Sequence, residues 1–580
     1  MLTLFGTLGL MLNILFADPH SLVLVADDAT ISDTVHLGEA LVTGEGIPRD
    51  VAKGLQLLEA AAVTNAEAKL VLGRLYLAGT ALPRDVAKGI ALLEAAAAGG
   101  KVAALDILGT VYLGGSGVPA DASKARDYLQ RASAAGSIGA KRHLGEALVA
   151  GEGLPRDIAE GLQLLETAAA TDAEAKLVLG RLYLAGTALP QNVAKGIALL
   201  EAAAAAGKVA ALDILGTAYL GGSGVPADAR KARDYLQRAT AAGSTGAKRH
   251  LGEALITGEG LPRDVAKGLQ LLEAAAATDA EAKLVLGRLY LTGTALQQDA
   301  ARALELFEVL ASTGDGRGLQ TIGASYLWGT DLKADIGKGQ SFLVRAGDLG
   351  QGGAWALLAQ AAALGKLGNK SRSTFEEFAA KARALKDTTI EIYDAQRALY
   401  GLGQARNPAK GVSILNSASA KGNPDTIHYL IAIYRDGRRG AMVRNISQAK
   451  SYLAKYSKWL PNNELISEEF LIQVAAAQSL DEMARVSREA KFASILTSDS
   501  IQHEIKQANP RFIVYQLQKA LKFDGLYKGR ATGVVDWPTV RSIIKACKMR
   551  KHSFACGNIL TSLRVVKQLT LYTDNGRRRL

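Results

Sequence analysis

The stretch Ala68–Gly99, AKLVLGRLYLAGTALPRDVAKGIALLEAAAAG, contains the unit from which most of this 580-residue chain is made. Ala68, Leu72 and Leu75 fall at spacings of four and three, and Leu55, Leu58 and Ala62 in the preceding segment at three and four. Both are the spacing of one apolar helix face. Between the helical runs stands Gly79-Thr-Ala-Leu-Pro83-Arg-Asp85, a punctuation of the form Gly-x-x-x-Pro-x-Asp that recurs at Gly44 to Asp50 and Gly151 to Asp157. Glycine adopts the left-handed C-terminal cap without steric cost, and a carboxylate can accept hydrogen bonds from the free N–H groups of the next helix. Asp50, Asp85, Asp121, Asp157, Asn192, Asp228, Asp264 and Asp299 all hold that closing position. Each unit therefore reads as two short amphipathic helices joined by a capped turn.

The unit repeats. A Leu-Gly pair (once Ile-Gly) recurs at Gly38, Gly73, Gly109, Gly145, Gly180, Gly216, Gly252, Gly287 and Gly323, at intervals of 35 or 36 residues. Such a period marks solenoids, and it resolves the problem of length, because single cores stop growing near about 250 to 300 residues. A longer period lies on top: His36-Leu-Gly-Glu-Ala-Leu returns at His143 and His250, 107 residues apart each time, so a block of three units was duplicated. Alanine clusters such as Ala60–Ala62, Ala95–Ala98 and Ala202–Ala206 place small side chains where helices cross, and allow interaxial distances at the short end of about 8 to 10 Å.

These residues resemble the Sel1-like repeat family, in which an Ala-x-x-x-Leu-Gly-x-x-Tyr-x-x-Gly helix is followed by a Lys-Ala-x-x-Leu-Leu-x-x-Ala-Ala-x-x-Gly helix. Ala68–Gly79 and Lys88–Gly99 match the two halves; the likeness runs from Ser32 to Leu364 and returns at Ile390 to Gly437. It implies an all-α fold, a right-handed α-solenoid of Sel1-like, TPR-like helix pairs, followed here by a small helical C-terminal module. The expected organisation is a signal peptide or anchor over 1–26, the solenoid over 32–365, a charged, Ser-containing linker over 366–389, further repeats and capping helices over 390–507, and the module over 508–580.

From Val514 to Gly529 the sequence VYQLQKALKFDGLYKG resembles the first helix and turn of a peptidoglycan-binding-like module, and Gly533 with Pro538-Thr539-Val-Arg541-Ser-Ile543 extends the match. Two departures stand out: Thr532 where that family has Asp before Gly, and Val534-Val-Asp536-Trp537 in place of a Phe-Gly turn. The resemblance implies cell-wall contacts at Tyr527, Asp536, Trp537 and Arg541, around the turn between the two helices. A second reading stands beside it, in which Tyr527 and Trp537 are core residues of a small helical domain. Cys547 and Cys556, the only cysteines, are a candidate disulfide in an oxidising compartment and two separate thiols in a reducing one.

Charge is unevenly placed. The chain carries 68 Lys and Arg against 56 Asp and Glu, and residues 501–580 alone carry sixteen against four, which is the whole net charge of +12. Nucleic acid, an acidic glycan or anionic lipid would each suit such a segment, while the end Arg577-Arg-Arg579 also reads as a solvated tail; a nucleic-acid partner is not expected. Leu2–Ala17 is apolar and uncharged and is broken by Asp18-Pro19-His20, too short a run for a membrane span. An exported precursor cleaved after Ala26 fits best, although the basic residues expected before the apolar run are missing; an uncleaved inner-membrane anchor is the alternative.

Catalytic chemistry finds little support. His36, His143 and His250 are one position in three duplicated blocks, about 25 Å or more apart in a solenoid, too far to share an ion. Glu39 with Glu45, repeated as Glu146 with Glu152 and Glu253 with Glu259, has the composition of a glycosidase pair, but threefold repetition fits solvated helix faces better. Neither a nucleophile elbow, a phosphate-binding glycine loop nor zinc-type Cys/His spacing occurs, so no enzyme, cofactor or metal is expected. Exported arrays of this kind resemble the periplasmic scaffolds of exopolysaccharide secretion, such as the alginate-export family. The implied partners are envelope proteins of a polysaccharide synthesis or export complex, together with peptidoglycan or an acidic polysaccharide. A periplasmic signalling or polarity regulator and a cytoplasmic adaptor are the alternatives.

Overall fold

A computed structural model of the chain describes residues 28–549 other than 187–188, 222–224, 226, 369–371, 438–441, 490–498 and 524. By packing, the chain divides into two compact units, Met1–Leu179 and Gly180–Leu580. Every regular element among the described residues is helical. In the first unit the pairs are α1 (Asp28–Thr43) with α2 (Val51–Ala62), α3 (Ala66–Ala78) with α4 (Val86–Ala98), α5 (Val102–Gly114) with α6 (Ala122–Ala134), and α7 (Ile138–Ala150) with α8 (Ile158–Ala169).

Helix α9 (Ala173–Ala185) carries the division and is followed by α10 (Val193–Ala205). The second unit continues with α11 (Val209–Gly221) and α12 (Ala229–Ala241), α13 (Thr245–Thr257) and α14 (Val265–Ala276), and α15 (Ala280–Thr292) and α16 (Ala300–Ser312). Then come α17 (Arg317–Trp328) and α18 (Ile336–Asp348), α19 (Gly352–Ala363) and α20 (Arg372–Ala384), α21 (Thr389–Tyr400) and α22 (Pro408–Ala420), and α23 (Pro424–Asp436) and α24 (Ile446–Tyr456). The tandem helix pairs of an α-solenoid, expected from the period, are present.

The local reasons are those the punctuation predicts. Asp50, Asp85, Asp121, Asp157, Asn192, Asp228, Asp264 and Asp299 each cap the second helix of a pair, with the side chain accepting from backbone N–H groups two or three residues on. Such a cap contributes about 1 kcal/mol. Gly79 closes α3 with φ +67°, in the left-handed region, and a Cβ there would stand 2.7 Å from that of Arg84.

Packing within a pair depends on the repeated Leu-Gly. A Cβ on Gly73 of α3 would lie 2.7 Å from Leu93 Cγ and 3.0 Å from the Gly89 carbonyl of α4, so the two backbones touch with no side chain between them. Gly145 with Gly161 and Gly252 with Gly268 repeat the contact. The leucine laid across each glycine, Leu58, Leu93, Leu129, Leu165, Leu200, Leu236 or Leu272, is fully buried. Burying each contributes about 1.5–3 kcal/mol.

The expected linker over 366–389 is largely a helix. Residues 372–384 form α20, which packs on α19 through Phe375, Phe378, Ala379 and Ala382, all buried, with the Phe378 ring stacked on Trp355 at 5.9 Å. Phenylalanine does here what leucine does in the other repeats, while Glu377, Lys381 and Arg383 lie on the exposed face, so the segment keeps the pair without keeping the motif.

After α24 the pairing stops. A 3-10 turn (Ser457–Trp459) leads to α25 (Asn462–Ala476), the short α26 (Leu480–Val486) and α27 (Asp499–Ala508), which share a core built on Phe470, Val474, Met483 and Ile505. The C-terminal module follows as α28 (Pro510–Phe523) and α29 (Trp537–Met549), and Phe512 of α28 sits edge-on against Phe470. The expected signal segment, Cys556 and the basic tail lie outside the described residues, as does the side chain of Cys547, so the candidate disulfide does too.

Candidate interaction surfaces

Tyrosines of the Tyr-Leu-x-Gly run end the first helix of a pair, and twelve residues on the second helix returns a cation. In the first unit Lys88 Nζ lies 4.4 Å from the Tyr76 ring centre and Lys124 Nζ lies 4.8 Å from that of Tyr112. The second unit repeats the step with Lys195 on Tyr183, Lys231 on Tyr219, Arg302 on Tyr290 and Lys338 on Tyr326, at 4.6 to 5.5 Å. Lys88 Nζ also donates to the Tyr76 hydroxyl at 2.7 Å. The rings are largely buried and the cations exposed, so these pairs show solvent a positive charge seated over an aromatic ring. Each third pair of the block lacks the step, because leucine (Leu41, Leu148, Leu255) replaces the tyrosine.

Other polar side chains tie one pair to the next. His143 Nδ1 lies 2.8 Å from Asp106 and His250 Nδ1 2.8 Å from Asp213, so two of the three duplicated histidines face a carboxylate of the preceding pair. Tyr128 reaches Glu94 and Tyr235 reaches Glu201; burial, with the carboxylate beside it, pushes each phenol up to about 12. Glu39, one of the two carboxylates of the repeated Glu39/Glu45 pattern, accepts from Arg74 of the next pair at 2.8 Å. Among the described residues no group of three His, Cys, Asp or Glu side chains could hold a metal ion, and no helix is long and apolar enough to cross a membrane.

Where α23, α25 and α27 meet, the chain buries charge. Arg435 is 1 % exposed; its guanidinium donates to both Asp436 oxygens (2.7 and 2.9 Å), to Glu468 (3.2 Å) and to Glu504 (3.2 Å). Two turns earlier on α23, His428 has Nδ1 2.7 Å from Glu468 and Nε2 3.0 Å from Glu464. A ring facing a carboxylate at both nitrogens must donate from both, so it is the imidazolium. Burial alone would lower its pKa, but Glu468 and then Glu464 override that and push it up to about 9. Beside this cluster, α24, α25 and α26 enclose a cleft of ≈ 700 Å³ with Lys450, Glu469, Gln473, Glu482 and Arg485 on its walls. Glu482 is already engaged, accepting from the Ser479 and Gln478 N–H groups as half of a capping box.

In the C-terminal module the four expected wall contacts separate into two kinds. Tyr527 is 2 % exposed, its hydroxyl within reach of the Arg530 carbonyl (3.1 Å) and of Asp536 (3.2 Å), and burial pushes its phenol above the usual range. Asp536 accepts from the Thr539 N–H at 2.8 Å and from the Thr539 hydroxyl, which hold its carboxyl below the usual range. Tyr527 belongs to the interior of the turn, and Asp536, partly exposed, is engaged within it. Trp537, 72 % exposed, and Arg541 face solvent. The core reading thus fits Tyr527 and does not fit Trp537.

The organiser of this turn is Gln518, which the sequence reading passed over. Fully buried, it accepts from the Thr532 and Gly533 N–H groups (2.8 and 2.9 Å) and donates to the Val534 carbonyl (2.8 Å) and to Thr539 (2.9 Å). A glutamine on the apolar face of α28, between Leu517 and Leu521, was the available signal. With Gln518 and Asp536 drawing the backbone inward, Val534 and Val535 are turned out, 54 % and 45 % exposed.

Comparison with known proteins supports the repeat and is silent on the module. The Sel1 repeat family model matches ten times, over 35–62, 66–101, 102–137, 139–170, 173–208, 209–244, 246–277, 280–315, 322–351 and 395–423. The pairs α19/α20 and α23/α24 are absent from those matches yet have the same build. A search of curated proteins finds no match. Among solved structures the chain is similar to c5321, a protective antigen of uropathogenic Escherichia coli strains displaying an SLR fold (21% identity, 83% of this chain, 99% of that one, TM-score 0.37). It is also similar to a Sel1 repeat protein from Oxalobacter formigenes (26% identity, 60% of this chain, 98% of that one, TM-score 0.38).

Proposed function

Because the chain belongs to the Sel1 repeat family, whose fold generally mediates protein–protein interaction, we propose that it is a non-enzymatic scaffold of the periplasm that holds envelope proteins of an exopolysaccharide synthesis or export complex. The observation that carries the reading is the repeated Tyr–cation step. It offers partners many equivalent contacts, and in a repeat array that surface grows with each added pair. Location in the envelope is supported by the apolar start followed by Asp18-Pro19-His20 and by the basic balance of residues 501–580. A version in which the C-terminal module also touches peptidoglycan or an acidic polysaccharide draws on Trp537 and Arg541, the two expected contacts that face solvent.

The test is site-specific photocrosslinking in the native host, with the probe placed at Lys88, Lys231 or Lys338. Adducts with a polysaccharide synthase or outer-membrane export component are the expected result. Adducts confined to cytoplasmic proteins, or none at any of the three positions, would sink the reading.

A further inference from the structure

The turn between α28 and α29 presents an unusual outer face. Val534, Val535 and Trp537 point to solvent as a group, because the polar groups around them are bound inward by Gln518, Tyr527 and Asp536. That network makes the display a built feature of the fold and not the fraying of a chain end. From Trp537 the same face of α29 continues at spacings of four through Arg541 and Lys545, both exposed. Lys522, Lys528 and Arg530, on the end of α28 and in the turn, are exposed as well. Between residues 510 and 549 eight Lys and Arg stand against two acids, and one of those, Asp536, is engaged within the turn.

We propose that this face docks on an anionic phospholipid bilayer, with Val534, Val535 and Trp537 entering the headgroup region and Arg541 and Lys545 lying along the lipid phosphates. Indole is the side chain best suited to that depth, with an apolar body and a polar N–H. An apolar end continued by a cationic stripe on one helix face is the pattern of a peripheral membrane contact, and single-sign charge matches a surface of single-sign phosphates. A glycan-binding face would need polar groups converging on sugar hydroxyls. Here the polar groups of the turn converge on one another, and two of the three outward residues are aliphatic. The inference rests on the scaffold reading and deepens it, by naming what holds the C-terminal end.

The test uses the purified full chain sedimented with phosphatidylcholine vesicles containing phosphatidylglycerol, with phosphatidylcholine vesicles alone, and with isolated peptidoglycan sacculi. Binding is expected to the phosphatidylglycerol vesicles only, and to weaken about fivefold for each cation removed in Arg541→Gln and Lys545→Gln. Trp537→Ser and Val535→Ser are expected to weaken it further at low salt. All four side chains are exposed, and unchanged melting curves confirm the fold. The inference is overturned by failure to bind these vesicles, by vesicle binding that none of the variants changes, or by sacculus binding without vesicle binding that Trp537→Ser abolishes. No protein partner is present in this assay, so its failure leaves the scaffold reading to be decided by the crosslinks.

Discussion

Two parts of the second unit join their helices by opposite means. Between α13 and α14 the contact is backbone on backbone: a Cβ on Gly268 would stand 2.7 Å from the Gly252 carbonyl, and charged groups stay at the surface. Between α23 and α25 it is charge on charge, with Arg435 and Glu468 both almost wholly buried. The first contact is cheap to copy, since it asks only for small residues in register, and the chain copies it many times. The second must desolvate ions, which is tolerable only when every partner is in place, and it occurs where the repeat gives way to capping helices. The repeated contact suits extension of an array; the charge cluster, with its own set of partners, stands where the pairing ends.

The largest effect should come from the unique contact. Arg435→Met leaves Asp436 buried without its cation and Glu468 with His428 alone, and removing one partner of such a buried cluster costs about 3–5 kcal/mol. Hydrogen exchange should show residues 424–508 opening at much lower free energy while the repeats before them keep their protection; equal loss in both regions would erase the contrast. Second comes Gly268→Val, which forces side-chain atoms into the α13/α14 contact at a cost of about 1–3 kcal/mol. Urea unfolding reads that cost, and a neutral result would mean the close approach is not required.

A third prediction concerns pH. The pKa of His428 is raised in the folded chain to about 9, so its contribution is fully present below the unfolded value near 6.5 and is lost as pH rises through about 9. Unfolding free energy measured from pH 6 to 10 should therefore decline more steeply for the wild type than for His428→Gln; parallel curves would place the charge elsewhere. The smallest effect is expected at Arg345, which pairs with both oxygens of Glu308 (2.8 and 2.6 Å) but is half exposed. Arg345→Ala should cost less than about 1 kcal/mol in the same unfolding assay, and less still in high salt.

Legibility followed repetition. The capping carboxylates, the Leu-Gly contact and the turn glycines could be read directly, because each recurs at a fixed interval and has a local cause. The helix over 372–384 could not, since Phe375 and Phe378 fill the core without the leucine spacing that announces the other pairs. At the candidate docking face, Trp537 and Arg541 were visible as residues of interest. Tyr527 and Asp536 looked equally available, and only the tertiary structure shows the ring to be buried and the carboxylate to be engaged by Thr539. Gln518, which directs that arrangement, carries no motif.

By itself the sequence determined the period, the helix pairs with their caps, and the family, because those depend on spacings within a few turns of one chain segment. Tertiary structure decided which carboxylates are engaged, that Arg435, Glu468 and His428 meet across residues 428–468, and which way the 532–537 turn faces. Those outcomes depend on which groups lose water together, and that is set by residues distant in sequence.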